Sequence, residues 1–148
     1  MKIGAVGLGN RIAHVYHELS QINKGAELIA YVDPQPIGKE YAEKNNFFPR
    51  KKYASLNEML SNEKLDLLMI GSPNHLHLEH IKIGLNSGIK IFAEKPIVVN
   101  ENQSFELAKL LGEFGEDQVL VGLVLRYSQH ARSVRDLINK NVLGNIVS

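Results

Sequence analysis

The residues of this sequence best equipped for chemistry stand in short polar clusters, each at the end of an apolar run. Glu94-Lys95-Pro96 follows the run at 90–93. A lysine there could orient a substrate hydroxyl and stabilise alkoxide charge as hydride leaves, or take part in its proton transfer. A Lys-Glu neighbour pair also fits an ordinary surface ion pair in a turn. Ser72-Pro73-Asn74-His75-Leu76-His77 follows another run. Its polar side chains could face a pyrophosphate or a nicotinamide ribose, and Ser72 or Asn74 could equally cap a helix. His75, His77 and His80 invite a metal reading, but no acidic cluster stands beside them, so no metal is expected and His77 reads as a structural histidine at a helix start.

Two further clusters suit a dinucleotide. In the stretch KIGAVGLGNRIA at 2–13, Gly7 allows a tight turn and Gly9 lets the backbone approach a pyrophosphate, with the first N–H groups of the next helix facing the anion. Asp33 ends the second apolar run, where a carboxylate accepts hydrogen bonds from the adenosine ribose. It would repel a 2′-phosphate, and no arginine follows at once, so NAD is favoured over NADP. A turn-forming Asp-Pro is the plainer alternative.

These clusters need a scaffold that brings strand ends together. Strands are expected at 2–6, 27–32, 51–53, 65–70, 90–93 and 118–123, mostly as the continuous apolar runs of buried parallel strands. Helical spacing places Ile12, Val15, Tyr16, Leu19 and Ile22 on one stripe, ended at 23–25. Further helices are expected at 36–45, 56–61 and 77–87, the last stopped by Gly88. Asn100 with Gln103 resembles a capping pair, and the helix behind it presents Phe105, Ala108, Leu111 and Phe114. A last helix at 128–141 shows Ala131, Val134, Leu137 and Ile138. The alternation is that of an α/β fold: a doubly wound parallel sheet with helices on both faces and a ligand crevice where the two halves meet. Residues 144–148 read as the start of another strand.

Composition sets the remaining bounds. The chain has 148 residues with 44% hydrophobic content, enough for one domain with a real core. Lys+Arg (17) nearly cancels Asp+Glu (16), so there is no basic field for nucleic acid or an anionic membrane. With no cysteine, thiolate nucleophiles, disulfides and Cys-ligated metals are excluded, and no stretch reaches membrane-spanning length. A cytoplasmic protein is expected.

Taken in order, GLGNRIA at 7–13, VDP at 32–34, SPNHLH at 72–77, AEKP at 93–96 and GLVLRY at 122–127 resemble the N-terminal half of the glucose-fructose oxidoreductase / inositol dehydrogenase (Gfo/Idh/MocA) family. The resemblance implies a Rossmann domain binding NAD or NADP over 1–125, with 126–148 leading into an α+β domain that supplies most of the substrate pocket and a homo-oligomer interface. It assigns Gly7, Leu8, Gly9, Asn10, Arg11 and Ile12 to the pyrophosphate loop and Asp33 to the ribose. Ser72, Asn74 and His77 match the segment after the fourth strand. Glu94 and Lys95 match the pair at the nicotinamide ribose and reacting carbon, with Pro96 cis and Lys95 catalytic. Arg126 and Tyr127 match the approach of the sixth strand to the nicotinamide.

Two departures bear on function. Ile12 replaces the third glycine of the turn, which would hold the helix slightly further from the strand and leave the pyrophosphate mainly to the Asn10 and Arg11 N–H groups. The family's second catalytic segment, an acid followed by a histidine, would lie beyond Ser148, so this stretch alone should bind cofactor without turnover. The expected function is hydride transfer between nicotinamide and a sugar, polyol or related hydroxylated substrate. The alternatives are an NAD-dependent glycosidase, a non-catalytic NAD-binding module and, opposed by the EKP and SPN segments, an S-adenosylmethionine methyltransferase.

Overall fold

A computed structural model describes residues 1–145. Six strands, β1 (Lys2–Val6), β2 (Glu27–Val32), β3 (Lys51–Lys52), β4 (Leu67–Ile70), β5 (Lys90–Ala93) and β6 (Val119–Val121), pair in parallel in the order β3-β2-β1-β4-β5-β6. The helices are α1 (Asn10–Ile22), α2 (Lys39–Lys44), α3 (Leu56–Asn62), α4 (His77–Asn86), α5 (Glu101–Phe114) and α6 (Gln129–Asn139). The chain winds outward from β1 through β2 and β3, then returns to β4 on the other side. The strand order therefore reverses between β1 and β4, and ligands of such sheets bind at the carboxyl ends there.

Apolar layers cover both faces of the sheet. On one, Ile12 and Tyr16 of α1 pack with Ile3, Ala5, Leu28, Tyr31 and Met69; on the other, Leu78, Ile81 and Leu85 of α4 and Leu107 of α5 pack with Val6, Leu68, Ile70 and Ile91. Burial on both faces explains why the central strands read as unbroken apolar runs. Among the described residues, no helix is long and apolar enough to cross a membrane.

Several boundaries differ from the sequence-based expectation. Strand β6 stops at Val121, because Leu123 N–H turns back to the Val121 carbonyl at 2.7 Å and residues 124–127 coil into a 3₁₀ turn. Arg126 and Tyr127 thus follow the sixth strand on a turn. Helix α2 begins only at Lys39, since the Pro36 carbonyl is used in a turn to the Lys39 N–H at 2.9 Å. Strand β3 is two residues long, and β4 begins after Asp66, whose carboxylate accepts the Lys2 N–H at 2.6 Å.

Three side-chain assignments also change. Ile22 ends the expected α1 stripe yet is 85% exposed, in the last turn of the helix. In α5 Phe105 is 68% exposed and Ala108 is exposed as well, and the inward face is Leu107, Leu110, Leu111 and Phe114. The capping pair forms as expected: Asn100 Oδ1 accepts the Gln103 N–H at 2.9 Å, and Gln103 Oε1 accepts the Val99 N–H at 2.9 Å. On α6, Val134, Leu137 and Ile138 form an apolar stripe that remains exposed. Of the strand expected at 144–148, Gly144 has a left-handed φ of +65° and Asn145 lies in a bend, so neither is in a strand, and 146–148 fall outside the described residues.

Candidate functional site

The turn after β1 is held by contacts that tolerate no side chain at Gly7. Its φ is +81°, its N–H donates to the Val32 carbonyl at 2.8 Å, and a Cβ would sit 2.3 Å from Ser72 N and 2.4 Å from the Gly71 carbonyl carbon. Gly9 then opens α1 in extended conformation with open space where its Cβ would be. It offers no side chain to cap the helix, so the N–H groups of Asn10, Arg11 and Ile12 have no side-chain acceptor and carry the partial positive charge of the helix end.

Ile12 does not need the helix displaced in order to fit. It is fully buried, and a Cβ on Gly71 would lie 2.3 Å from its Cγ1. The room that a third glycine would make on the helix is made instead by Gly71 at the end of β4. A second unanticipated glycine braces the other flank. Gly38 N–H donates to the Leu8 carbonyl at 3.0 Å, and a Cβ there would meet the Gly9 oxygen at 2.7 Å. The clue in the sequence was a glycine directly after an apolar strand, in GSPN at 71–74.

Asp33 forms the turn considered for it and also braces the glycine turn. Oδ2 accepts the Leu8 N–H at 2.7 Å, tying the strand end to the glycine turn, and Oδ1 accepts the Gln35 N–H at 2.8 Å, closing the Asp-Pro turn. A carboxylate has about four acceptor positions, so two remain for hydroxyl groups.

Across the sheet, a cavity of about 260 Å³ is lined by Gly9, Arg11, Ile12, Ser72, Asn74, His77, Glu94 and Lys95 among others. A second, of about 480 Å³, is lined by Arg11, Lys95, Arg126 and residues 122–125. Arg11 and Lys95 line both, so the two form one cleft running from the glycine turn to the segment after β6. Of the sequence-predicted residues, Gly9, Arg11, Ile12, Ser72, Asn74, His77, Glu94, Lys95 and Arg126 line this cleft. Gly7, Leu8, Asn10 and Tyr127 do not, and neither does Asp33, which braces the turn from the β2 side. A larger cavity beside Phe47, Phe48 and Arg50 is lined by none of them.

The Glu94-Lys95 pair is arranged differently from expectation. Glu94 is buried, its Oε1 has no hydrogen-bond partner, and a Cβ on Gly122 would approach that oxygen to 2.9 Å. Lys95 is exposed at the cleft and joins none of the ion pairs among the described residues, so the carboxylate does not hold the lysine. The Lys95-Pro96 peptide is cis. A buried carboxylate oxygen without a donor is costly unless something supplies one. A ribose hydroxyl or a carboxamide would do so, and this orphaned acceptor fits a nicotinamide nucleoside at this end of the cleft.

His77 is buried, with Nδ1 2.7 Å from the Pro96 carbonyl oxygen and Nε2 2.7 Å from that of Ser72. The ring bridges the loop after β4 and the turn after β5; a neutral imidazole donates to one of these at a time. Ser72 Oγ lies 2.9 Å from Nδ1 of His80, a residue given no role beyond the metal reading. Asn74 opens the 3₁₀ turn before α4 and caps no helix through its side chain. Among the described residues, no three His, Cys, Asp or Glu side chains are grouped to hold a metal ion.

Burial, opposed by Glu79 and aided by His77, pulls the His80 pKa below its ordinary 6.5. Between that lowered value and 6.5 the unfolded chain binds a proton that the folded chain does not, so stability is lost as pH falls through this window. The denaturation midpoint should therefore drop on acidification, and His80→Asn should flatten that slope. An unchanged slope in urea titrations across the window would exclude His80 as its source.

The model of an oxidoreductase family with an NAD-binding Rossmann fold matches residues 1–123. Glucose-6-phosphate 3-dehydrogenase of Bacillus subtilis is 29% identical over 99% of this chain and 40% of its own length. The 2,7-anhydro-N-acetylneuraminate hydratase of Mediterraneibacter gnavus is 28% identical over 88% of this chain and 34% of its own. Scyllo-inositol dehydrogenase from Lactobacillus casei, solved with NAD(H) and scyllo-inositol, superposes with a TM-score of 0.82 at 24% identity, covering 99% of this chain and 43% of that one. The chain therefore spans roughly two fifths of the length of these relatives.

Proposed function

This chain belongs to the Gfo/Idh/MocA oxidoreductase family, and on that premise we propose that it is the cofactor-binding part of an enzyme that oxidises a hydroxyl on a sugar, polyol or similar substrate. The observation that carries the reading is the single cleft joining the open N-terminus of α1, the unpartnered Glu94 oxygen and the exposed Lys95 ammonium. When bound, NAD supplies the hydride acceptor.

Each proposed role follows from local geometry. The N–H groups of Asn10, Arg11 and Ile12 hold the pyrophosphate against the side-chain-free surface of Gly7 and Gly9, with Leu8 fixed behind them by Asp33. Asp33 takes the adenosine ribose hydroxyls with its remaining acceptor positions and disfavours a 2′-phosphate, which supports NAD over NADP. Ser72, Asn74 and His77 shape the middle of the cleft, and Glu94 accepts from the nicotinamide ribose. Lys95 orients the substrate hydroxyl and stabilises negative charge on its oxygen, and Arg126 borders the same cavity.

We assign 1–125 to the dinucleotide-binding domain and 126–148 to the passage into a C-terminal domain that completes the substrate pocket and pairs subunits, in a cytoplasmic enzyme. The greater length of the relatives and the uncovered stripe on α6 support this assignment. The hydratase relative favours a second reading, in which transient oxidation serves addition or elimination, as in an NAD-dependent glycosidase. Product analysis on glycosides with the full-length protein separates the two.

The test of the cofactor site is Asp33. Asp33→Ala removes a charged acceptor and should weaken NADH binding by about 10- to 100-fold in a fluorescence titration. Asp33→Asn, which keeps one acceptor, should lose less. Unchanged affinity in both would remove Asp33 from the site.

A further inference from the structure

We propose that His80 is a positioning residue of the cleft: its Nδ1–H donates to Ser72 Oγ, so that the Ser72 hydroxyl proton is turned into the cleft as a donor to an anionic oxygen of the bound dinucleotide. The inference rests on the reading of this cleft as the NAD site. Ser72 is buried and lines the cavity with Gly9, Arg11 and Asn74. Its main chain is fixed twice, by the His77 ring 2.7 Å from its carbonyl oxygen and by the close packing of its nitrogen against Gly7. What remains adjustable is the hydroxyl rotor, and among the described residues the side chain hydrogen-bonded to that oxygen is His80, with Nδ1 at 2.9 Å.

A serine hydroxyl has one proton and two acceptor sites, so the partner that donates to it decides where its own proton goes. If the proton pointed at His80, only lone pairs would face the cleft. Apart from Glu94, the acceptor assigned to the nicotinamide ribose, the charged and main-chain groups converging there are donors: the first N–H groups of α1, Arg11 and Lys95. Their common ligand is an acceptor, and a donating Ser72 matches it. His77 and His80 lie three positions apart on α4, so neighbouring points of one helix set the main chain and the side chain of the same residue. Burial keeps the His80 ring neutral near neutral pH, leaving one N–H to be placed.

NADH titrations of the full-length protein test this with paired variants, each checked by thermal melting. His80→Leu should weaken NADH about five- to tenfold, the loss of one hydrogen bond in the chain of donors. His80→Asn, whose amide can donate from nearly the same place, should stay within about twofold of wild type. In a Ser72→Ala background, His80→Leu should cost nothing further. An equal penalty with and without Ser72, or an Asn variant as weak as the Leu variant, overturns the inference while leaving the cleft intact as an NAD site. A wild-type protein that fails to take up NADH overturns both.

Discussion

Gly7→Ala should destabilise the protein by about 3 kcal/mol or more and abolish NADH binding. A left-handed backbone costs a non-glycine residue about 1–2 kcal/mol, and the new methyl group would overlap main-chain atoms of Gly71 and Ser72 at 2.3–2.5 Å. Main chain cannot swing aside as a flexible side chain does, so β1 and β4 must part at their carboxyl ends or the turn must unwind. Overpacking of a tight site adds about 1–3 kcal/mol. Both responses disrupt the Leu8–Asp33 hydrogen bond and the cradle at Gly9. Urea unfolding and NADH fluorescence measure the two effects, and a variant that keeps wild-type stability contradicts the contact geometry. Gly9→Ala serves as the control for stability: that position has a negative φ and empty space around it, so binding should suffer more than folding.

Lys95→Ala should lower kcat by about 10²- to 10⁴-fold, the range for removing a group that assists proton transfer or stabilises oxyanion charge. NADH affinity should change by less than about tenfold, because a single exposed charge contributes modestly to binding. The asymmetry follows from how the EKP turn divides its labour. Glu94 is turned inward against Gly122, and Lys95 makes no ion pair with it, so the ammonium remains available to a substrate oxygen in the cavity it shares with Arg126. The measurement is NAD reduction by the full-length protein against a panel of sugars and polyols. Turnover within tenfold of wild type in Lys95→Ala would remove the lysine from the chemistry. A large loss of NADH binding with turnover preserved would make it a cofactor anchor instead.

The strands and most helices were legible because burial on both faces writes itself as unbroken apolar runs, and because Asn100, Gln103 and Gly88 mark helix ends by their own chemistry. Element ends governed by long-range contacts were not. Nothing near Pro36 announces that its carbonyl closes a turn, and the end of β6 is set by a hydrogen bond between Leu123 and Val121 that no composition rule anticipates. Phe105 lies two positions before Leu107, which at 3.6 residues per turn puts it nearly opposite the buried face of α5, and its aromatic character does not signal that. The residues of the candidate site were named from spacing and family resemblance. Their supports, Gly71, Gly38 and His80, act across strands or along a helix turn, and a single sequence does not encode such distances.

Gly71 and Ile12 leave a mark beyond the turn itself. A side chain at 71 and an isoleucine at 12 exclude each other, while glycine at both would leave a hole between helix and sheet. Position 71 is closed on a second side as well, because the same Cβ would stand 2.8 Å from the Gly7 carbonyl oxygen, so glycine is required there whatever occupies position 12. The glycine after β4 thus belongs to the glycine turn as fully as Gly7 does, although the whole first half of the sheet separates them along the chain.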